Sequence, residues 1–327
     1  MNQKVALITG VNGQDGSYLS KFLLEKNYKV IGLKRRTSSI TTNRIDEIIN
    51  KPNFILRYYD LLDSSCAYNL ISEYMPDEIY NLAAQSHVKV SYELPKYTVD
   101  TIVSGTLNLL EAIKLIKPNI RFYQASSSEM FGDNPNVPEK GYNEDSKFMP
   151  VSPYAAAKVC AHHLVQIYRK SYGIHGSCGI LFNHESPYRG ETFVTKKITT
   201  AAAKIKLNLQ NKLLLGNLYS KRDWGFTGDY VKAMWLMLQQ DTPDDYVIAS
   251  GATHTIEEFL IHVFDYAGLG DYKKYVEIDP KLFRPNEVNY LLGDASKAKS
   301  VLGWSTDIDM KRLAEMMYDF DLTNNKC

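Results

Sequence analysis

The chain has 327 residues, 44% of them hydrophobic, which suffices for one large or two smaller cored domains, and its formal net charge is +1. That balance gives no electrostatic footprint for nucleic acid, and no apolar run is long enough to span a membrane. No secretory leader is recognisable, and four cysteines (Cys66, Cys160, Cys178, Cys327) without metal-ligand spacing read as reduced thiols of a cytoplasmic protein.

Residues 4–9 (KVALIT) are a short apolar run that predicts a buried strand. Gly10-Val11-Asn12-Gly13-Gln14-Asp15-Gly16 follows, then a helical pattern over 18–25 with Leu19, Phe22 and Leu23 on one face. Strand, glycine-rich turn and helix together predict a dinucleotide site, because backbone N–H groups at a helix start can approach a pyrophosphate closely. Residues 29–33 are the second strand. A cofactor without a 2′-phosphate would call for an acid at its end; Lys34-Arg35-Arg36 followed by Thr37, Ser38 and Ser39 suits a phosphate and predicts NADP. A third strand over 54–58 leads to Asp60-Leu61, where the acid can accept from an adenine amino group. A fourth, over 78–84, ends in small residues that let a cofactor lie close. Residues 98–116 predict one long helix with Leu107, Leu110, Ile113 and Leu115 available for packing, closed by Pro118.

The fifth strand, 120–125, opens into Ser126-Ser127-Ser128-Glu129-Met130-Phe131-Gly132. Ligands of open α/β sheets lie beyond the carboxyl ends of strands, so Glu129 is placed for chemistry and Ser127 for hydrogen bonding. In Ser152-Pro153-Tyr154-Ala155-Ala156-Ala157-Lys158, the serine caps, the proline starts and the alanines sustain a helix. Tyr154 and Lys158 then share a face, and the ammonium is expected to lower the phenol from ~10 toward neutrality, giving a proton carrier. His162 and His163, further along, read as packing or surface residues. After a sixth strand over 179–182, the alternation of strands and helices indicates a doubly wound parallel sheet. The texture then changes. The polar loop 183–190, the run 193–198 leading into a helix, and the loops 215–217, 222–225 and 284–287 carry cations suited to a diphosphate. The expected division is a dinucleotide-binding domain over 1–182, a discontinuous substrate subdomain over 183–321 with a strand at 246–249 returning to the first sheet, and a tail from 322 to 327.

The set Gly10/Gly13/Gly16, Asn81-Leu82-Ala83-Ala84-Gln85-Ser86, Tyr154/Lys158, Asn183-His184-Glu185-Ser186-Pro187 and Arg222-Asp223-Trp224-Gly225 resembles the extended short-chain dehydrogenase/reductases. Within them it is similar to the GDP-mannose 4,6-dehydratases, from about residue 4 to residue 321. The resemblance implies a Rossmann-like α/β fold with a smaller C-terminal substrate-binding subdomain. It implies NADP on Gly10, Asn12, Gly13, Gln14, Asp15, Gly16, Arg35, Asp60, Leu61, Leu82, Ala83, Ala84, Gln85, Ser86, Tyr97, Lys158, His184 and Arg189. It implies a GDP-sugar on Asn183, Val194, Lys197, Gly216, Arg222, Arg284 and Glu287, with Ser86, Glu129 and Tyr154 also meeting it, and chemistry on Ser127, Glu129, Tyr154 and Lys158. It further implies a homodimer or homotetramer, with the loop 35–44 at a subunit interface in tetramers. The implied reaction is internal: oxidation at sugar C4, loss of water across C5 and C6 assisted by Glu129, and reduction at C6, leaving NADP unchanged overall. Ser127 stands where the family has threonine, Val151 where it has arginine, and Tyr188 where it has the first of two arginines. GDP-N-acetylglucosamine and GDP-heptose are alternative substrates, and a nucleotide-sugar epimerase or reductase is the alternative activity on this fold.

Overall fold

The structure, a computed structural model, describes residues 3–283 and 285–326. The apolar runs of the first half become β1 (Val5–Thr9), β2 (Lys29–Lys34), β3 (Phe54–Tyr58), β4 (Glu78–Asn81), β5 (Arg121–Ala125) and β6 (His175–Leu181). Then come β7 (Asn183–Glu185), β8 (Leu213–Leu215), β9 (Lys221–Phe226), β10 (Asp245–Ile248), β11 (Thr253–Thr255) and β12 (Val276–Ile278). Seven of them form one sheet in the order β3-β2-β1-β4-β5-β6-β10, with every pair parallel. Strands of such a sheet are covered on both faces, which is why they read as unbroken apolar runs. The strand order reverses between β1 and β4, and a crevice opens there at the carboxyl ends.

One face of the sheet is covered by the helices Gln14–Glu25 and Thr227–Gln239, through Leu19, Leu23, Met234 and Met237, with Leu302 and Trp304 alongside. The other is covered by Ser64–Tyr74, Gly105–Ile116 and Pro153–Tyr172, through Leu70, Ile71, Leu110, Ile113 and Val165. A second core gathers Trp224, Phe259, Phe264, Leu313 and Met317 between the helices Val194–Lys206, Ile256–Tyr266 and Met310–Asn324. Two small sheets, β11-β9-β7 and β12-β8, border it. Residues 183–321 therefore contribute to both cores, and β10 pairs with β6 in the main sheet.

Three local expectations are corrected. β4 stops at Asn81 rather than running to 84, because the Thr9 hydroxyl takes the N–H groups of Leu82 and Ala83, each at 3.0 Å, and draws the chain off the ladder. The helix expected over 98–116 begins at Pro95 and contains a π-helical turn, Asp100–Ser104. Its inward stripe is Thr106, Leu109, Leu110 and Ile113, which leaves Leu107 and Leu115 exposed. The last helix continues through Asn324, and Leu322 packs on the second core, so these residues are not a tail. Arg284 and Cys327 lie outside the described residues. No described helix is long and apolar enough to cross a membrane.

A buried ion pair ties the second core together. Lys196 Nζ donates to Asp321 and to the Pro187 carbonyl at 2.8 Å, while Thr199 and Thr200 donate to the other carboxylate oxygen at 2.7 and 3.0 Å. Removing one partner of such a pair leaves the other charge buried. Lys196→Met should therefore lower the unfolding free energy by about 3–5 kcal/mol, read by urea denaturation. A loss below ~1 kcal/mol, the scale of an exposed pair, would show that the pair carries no such strain.

Candidate active site at the sheet switch point

The turn after β1 is tight enough to require its glycines. Gly10 has φ +69°, and a Cβ there would lie 3.1 Å from the Ala83 backbone; a Cβ on Gly16 would lie 2.6 Å from Val11 Cα. Gly13 donates to the Gly10 carbonyl at 2.9 Å and caps the helix Gln14–Glu25 without a side-chain bond. The positive end of that helix faces the crevice with its first N–H groups uncovered by any capping side chain, so the cradle fits a dinucleotide pyrophosphate.

The polar residues of the turn bind protein. Asn12 Nδ2 donates to Thr41 O and Oγ1, both at 3.1 Å. Gln14 Nε2 donates to the His184 carbonyl at 3.0 Å, and Ser186 Oγ donates to Gln14 Oε1 at 2.8 Å. Asp15 Oδ2 lies 2.8 Å from His184 Nε2, and His184 Nδ1 lies 2.9 Å from the Phe182 carbonyl. Both ring nitrogens of His184 thus face acceptors, which suits an imidazolium, and the ring stacks on Tyr230 at 4.6 Å. Burial works against charge on both groups, yet their mutual attraction and hydrogen bond prevail: His184 is raised above its usual value and Asp15 lowered below its own.

Around the crevice, the exposed Arg35 guanidinium bonds the Tyr97 phenol, joining two expected cofactor residues. Asp60 accepts the Leu62 N–H at 3.0 Å, and Leu61 packs against Gly105 with its carbonyl on Asn108. Ala84 lies against the cluster that includes Tyr154. Gln85 folds its own loop, bonding Thr98 Oγ1 and both main-chain groups of His87, whereas Ser86 is exposed.

The groups expected to handle protons meet where β5 ends. Ser152 caps the helix Pro153–Tyr172 by accepting the Ala155 N–H at 3.1 Å. Lys158 Nζ donates to the Ala125 carbonyl at 2.6 Å and stands 5.7 Å from the Tyr154 ring centroid. Ser127 accepts the Glu129 N–H at 3.2 Å and bonds the Tyr154 phenol. Ser127, Glu129, Tyr154 and Lys158 are all buried. The expected lowering of Tyr154 is corrected. Burial pushes the phenol up to about 12 against the help of Ser127, with the nearby Glu129 carboxylate adding to the rise. Lys158 is directed at a carbonyl instead of the phenol, and burial brings it down to about 8.

On the substrate side, Asn183 Oδ1 is buried with no hydrogen-bond partner among the described residues, so it is available to a ligand. Arg189 pairs with Glu185 at 3.0 Å and lies over Phe193. Val194 opens its helix, and Lys197 is half-buried one turn on. Arg222 and Glu287 form an ion pair at 2.7 Å. A Cβ on Gly216 would come within 3.2 Å of the Leu282 carbonyl. Three residues that sequence reasoning missed organise the site: Thr9, at the end of β1, and Ser126 with His162, bonded at 3.0 Å directly behind Ser127. The advance signals were Thr9's place just before the glycine turn and His162's place four residues after Lys158.

Residues 7–317 match the family described as GDP-mannose 4,6 dehydratase, and the chain belongs to that family. It is 54% identical over 330 residues to GDP-mannose 4,6 dehydratase 2 of Arabidopsis thaliana, covering 98% of this chain and 87% of that protein. It is 48% identical to the GDP-mannose 4,6-dehydratase of Yersinia enterocolitica over 99% of this chain and 95% of that one. Among solved structures, dTDP-glucose 4,6-dehydratase of Bacillus anthracis in complex with NAD superposes with TM-score 0.86 at 23% identity, covering 99% and 98% of the two chains. The UDP-glucose 4-epimerase of Thermus thermophilus in complex with NAD gives TM-score 0.83 at 25% identity, with 97% and 98% covered. These neighbours share the doubly wound sheet and its bordering lobe.

The Asp15–His184 pair predicts a pH dependence. A histidine whose folded pKa is raised stabilises fully below its unfolded value of 6.5, and this is lost as pH rises through the folded value. Asp15, lowered in the fold, contributes above 3.8 and loses this only as pH falls through its depressed value. The stability gap between wild type and His184→Asn should therefore narrow as pH rises from 6 to 9, read by urea unfolding. A gap constant over that range would mean that the ring acts by packing alone.

Proposed function

We propose that this chain is a hydro-lyase converting GDP-mannose to GDP-4-keto-6-deoxymannose, with NADP held in the crevice and restored in each turnover. The observation that carries the reading is Glu129 buried beside Tyr154 and Ser127 at the end of β5. Oxidation at C4 alone, as in an epimerase or reductase, has no need of a carboxylate; removal of a carbon-bound proton at C5 does. The names of relatives at 46–54% identity favour GDP-mannose over GDP-N-acetylglucosamine and GDP-heptose. Bound NAD in the dehydratase and epimerase structures supports a nicotinamide dinucleotide, and exposed Arg35 at the end of β2, where a shorter acid would serve NAD, supports NADP.

In this reading Gly10, Gly13 and Gly16 hold the pyrophosphate, Arg35 and Tyr97 the 2′-phosphate, and Asp60 and Leu61 the adenine. The stretch from Leu82 to Ser86, with Lys158, His184 and Arg189, lines the remainder. Asn183, Val194, Lys197, Gly216, Arg222, Arg284 and Glu287 hold the GDP-sugar. When bound, oxidised nicotinamide supplies a hydride acceptor at sugar C4, later a donor to C6, and a positive charge that favours the Tyr154 phenolate. Tyr154 Oη takes the C4 hydroxyl proton, assisted by Ser127 Oγ, whose hydrogen bond already favours the phenolate. Lys158 holds Tyr154's helix against β5 through the Ala125 carbonyl. A ketone at C4 acidifies C5; the Glu129 carboxylate removes that proton and protonates the departing C6 hydroxyl, so one water leaves. A proton returned at C5 completes the product. Free Cys66, Cys160 and Cys178 support a cytoplasmic setting, and the family resemblance supports a homodimer or homotetramer.

The test is turnover of a panel of GDP-, UDP- and dTDP-sugars, followed by mass spectrometry. In deuterated water, GDP-mannose should give a product one water lighter with deuterium at C5, and the cofactor should end oxidised. Unchanged mass with inverted C4 would mean epimerase, and stoichiometric use of added NADPH would mean reductase. Glu129→Gln should lose turnover by ~10²–10⁴-fold with little change in nucleotide binding. For the cofactor, Arg35→Ala should weaken NADP more than NAD in a titration; equal loss would remove the basis for NADP.

A further inference from the structure

Behind the proton-handling groups lies a buried polar chain that the reaction does not use. His162 follows Tyr154 and Lys158 at four-residue steps on the helix Pro153–Tyr172, so all three share a face. His162 is 1% exposed, and its Nδ1 lies 3.0 Å from Ser126 Oγ. Its Nε2 lies 3.1 Å from Gln166 Nε2, which also donates to Asp245 Oδ2 at 2.8 Å. The amide orientation follows from chemistry: a carboxylate only accepts, so the amide nitrogen, not its oxygen, must face Asp245. That nitrogen has two hydrogens, one for Asp245 and one for His162 Nε2. Nε2 therefore accepts, and the single ring proton sits on Nδ1, aimed at Ser126. Burial brings His162 down to about 4, consistent with a neutral ring at working pH.

The trio His162, Cys178 and Asp245 could on distance alone suggest a metal site. The Asp245 carboxylate is already satisfied by the Arg169 guanidinium, the Gln166 amide and the Cys178 N–H at 3.2 Å, so the cluster is a hydrogen-bond network. A cavity of about 610 Å³ opens against this network between residues 144–148 and β10, away from the crevice.

We infer that His162 is a positioning residue, whose Nδ1–H fixes Ser126 and so sets the register between the helix carrying Tyr154 and Lys158 and the segment carrying Ser127 and Glu129. Ser126 is the one residue between Ala125, whose carbonyl receives Lys158, and Ser127, which bonds Tyr154. Its own N–H is bound to the Gly179 carbonyl at 2.9 Å, so the backbone is anchored to β6 and the side chain to the helix. Lys158–Ala125 and His162–Ser126 are successive rungs of one helix-to-strand ladder, and Asp245 on β10 anchors the far end through Gln166. Loss of the second rung leaves the helix and the segment joined near the site by Lys158 and Ser127.

The inference rests on the proposed roles of Tyr154 and Lys158, so the experiment has a readout without turnover. Full-length wild type, His162→Leu, His162→Asn and Ser126→Ala are compared in steady-state kinetics with GDP-mannose and in amide hydrogen exchange without substrate. Asparagine can place its amide nitrogen where Nδ1 stands; leucine cannot donate. His162→Leu should lower kcat about 10- to 100-fold, the scale of a small misplacement of reacting groups, with KM unchanged, and should speed exchange across residues 126–130. His162→Asn should restore both readouts. Ser126→Ala, which leaves the helix intact and decides the matter should His162→Leu not fold, should repeat the kcat loss without a KM change. Wild-type kcat and exchange in Ser126→Ala, or a His162→Asn no better than His162→Leu, would overturn the inference. Absence of turnover in wild type would sink the proposed function instead, while exchange would still decide this point.

Discussion

One hydroxyl group decides where the main sheet opens. Thr9 Oγ1 donates to Asn81 at 2.8 Å and accepts from both Leu82 and Ala83, which ends the β1–β4 ladder at the point where strand order reverses. Asn81 is held in turn by Gln124 on β5 at 2.9 Å, so three central strands terminate in one polar knot. The freed chain brings Ala83 against Gly10, where only a glycine fits. A parallel sheet places all carboxyl ends along one edge; Thr9 determines that the space beyond this edge starts at Leu82. The glycine turn, the segment 126–131 and the loop 183–190 are all positioned relative to that opening.

Within the crevice, the contest between burial and pairing resolves differently at two places. His184 is buried and Asp15 half-buried, but their atoms meet at 2.8 Å with a direct hydrogen bond, and charge survives. Tyr154 and Lys158 are both buried, but the ammonium stands 5.7 Å from the ring and bonds a carbonyl, so burial shifts each toward its neutral form. Coulomb attraction falls with distance while the cost of desolvation does not. Burial thus shifts Tyr154 and Lys158 toward their neutral forms, whereas pairing keeps charge where the glycine turn is braced.

Much of this was legible in sequence because it is written locally. The parallel strands read as apolar runs since both their faces are buried; Ser152 and Pro153 announced the helix start; Glu129 stood out because it follows a buried strand directly. What was not legible depends on partners distant in the chain. Asp15 meets His184 across 169 positions, and Lys196 meets Asp321 across 125. Neither pairing leaves a periodic trace. The end of β4 turned on a side chain from another strand, and the helix face around Leu107 on a π-helical turn that rotates the stripe. The Tyr154 expectation failed for a subtler reason: helical spacing brings two side chains to one face, but it does not say which acceptor a flexible lysine will choose.

The join between the two lobes is where these distant pairings accumulate. A single residue, Phe182, separates β6 of the main sheet from β7 of the small one. Its carbonyl holds His184, whose ring holds Asp15 and whose own carbonyl holds Gln14, while Ser186 bonds Gln14 again. Three residues further from the main sheet than His184, Pro187 receives Lys196, the cation that binds the last helix to the substrate-side helix. Asn183, whose amide oxygen has no partner among the described residues, lies inside this stretch. Across the crevice, Lys89 bonds the Lys281 carbonyl, Tyr92 the Asn286 carbonyl, and Asn289 the Asp133 carboxylate. Displacing β7 would break bonds on the glycine turn, whereas displacing the segment around residue 281 would break the Lys89 bond and the Asp279 N–H bond to the Leu215 carbonyl at 2.8 Å. The glycine turn and Asn183 are therefore fixed as one unit.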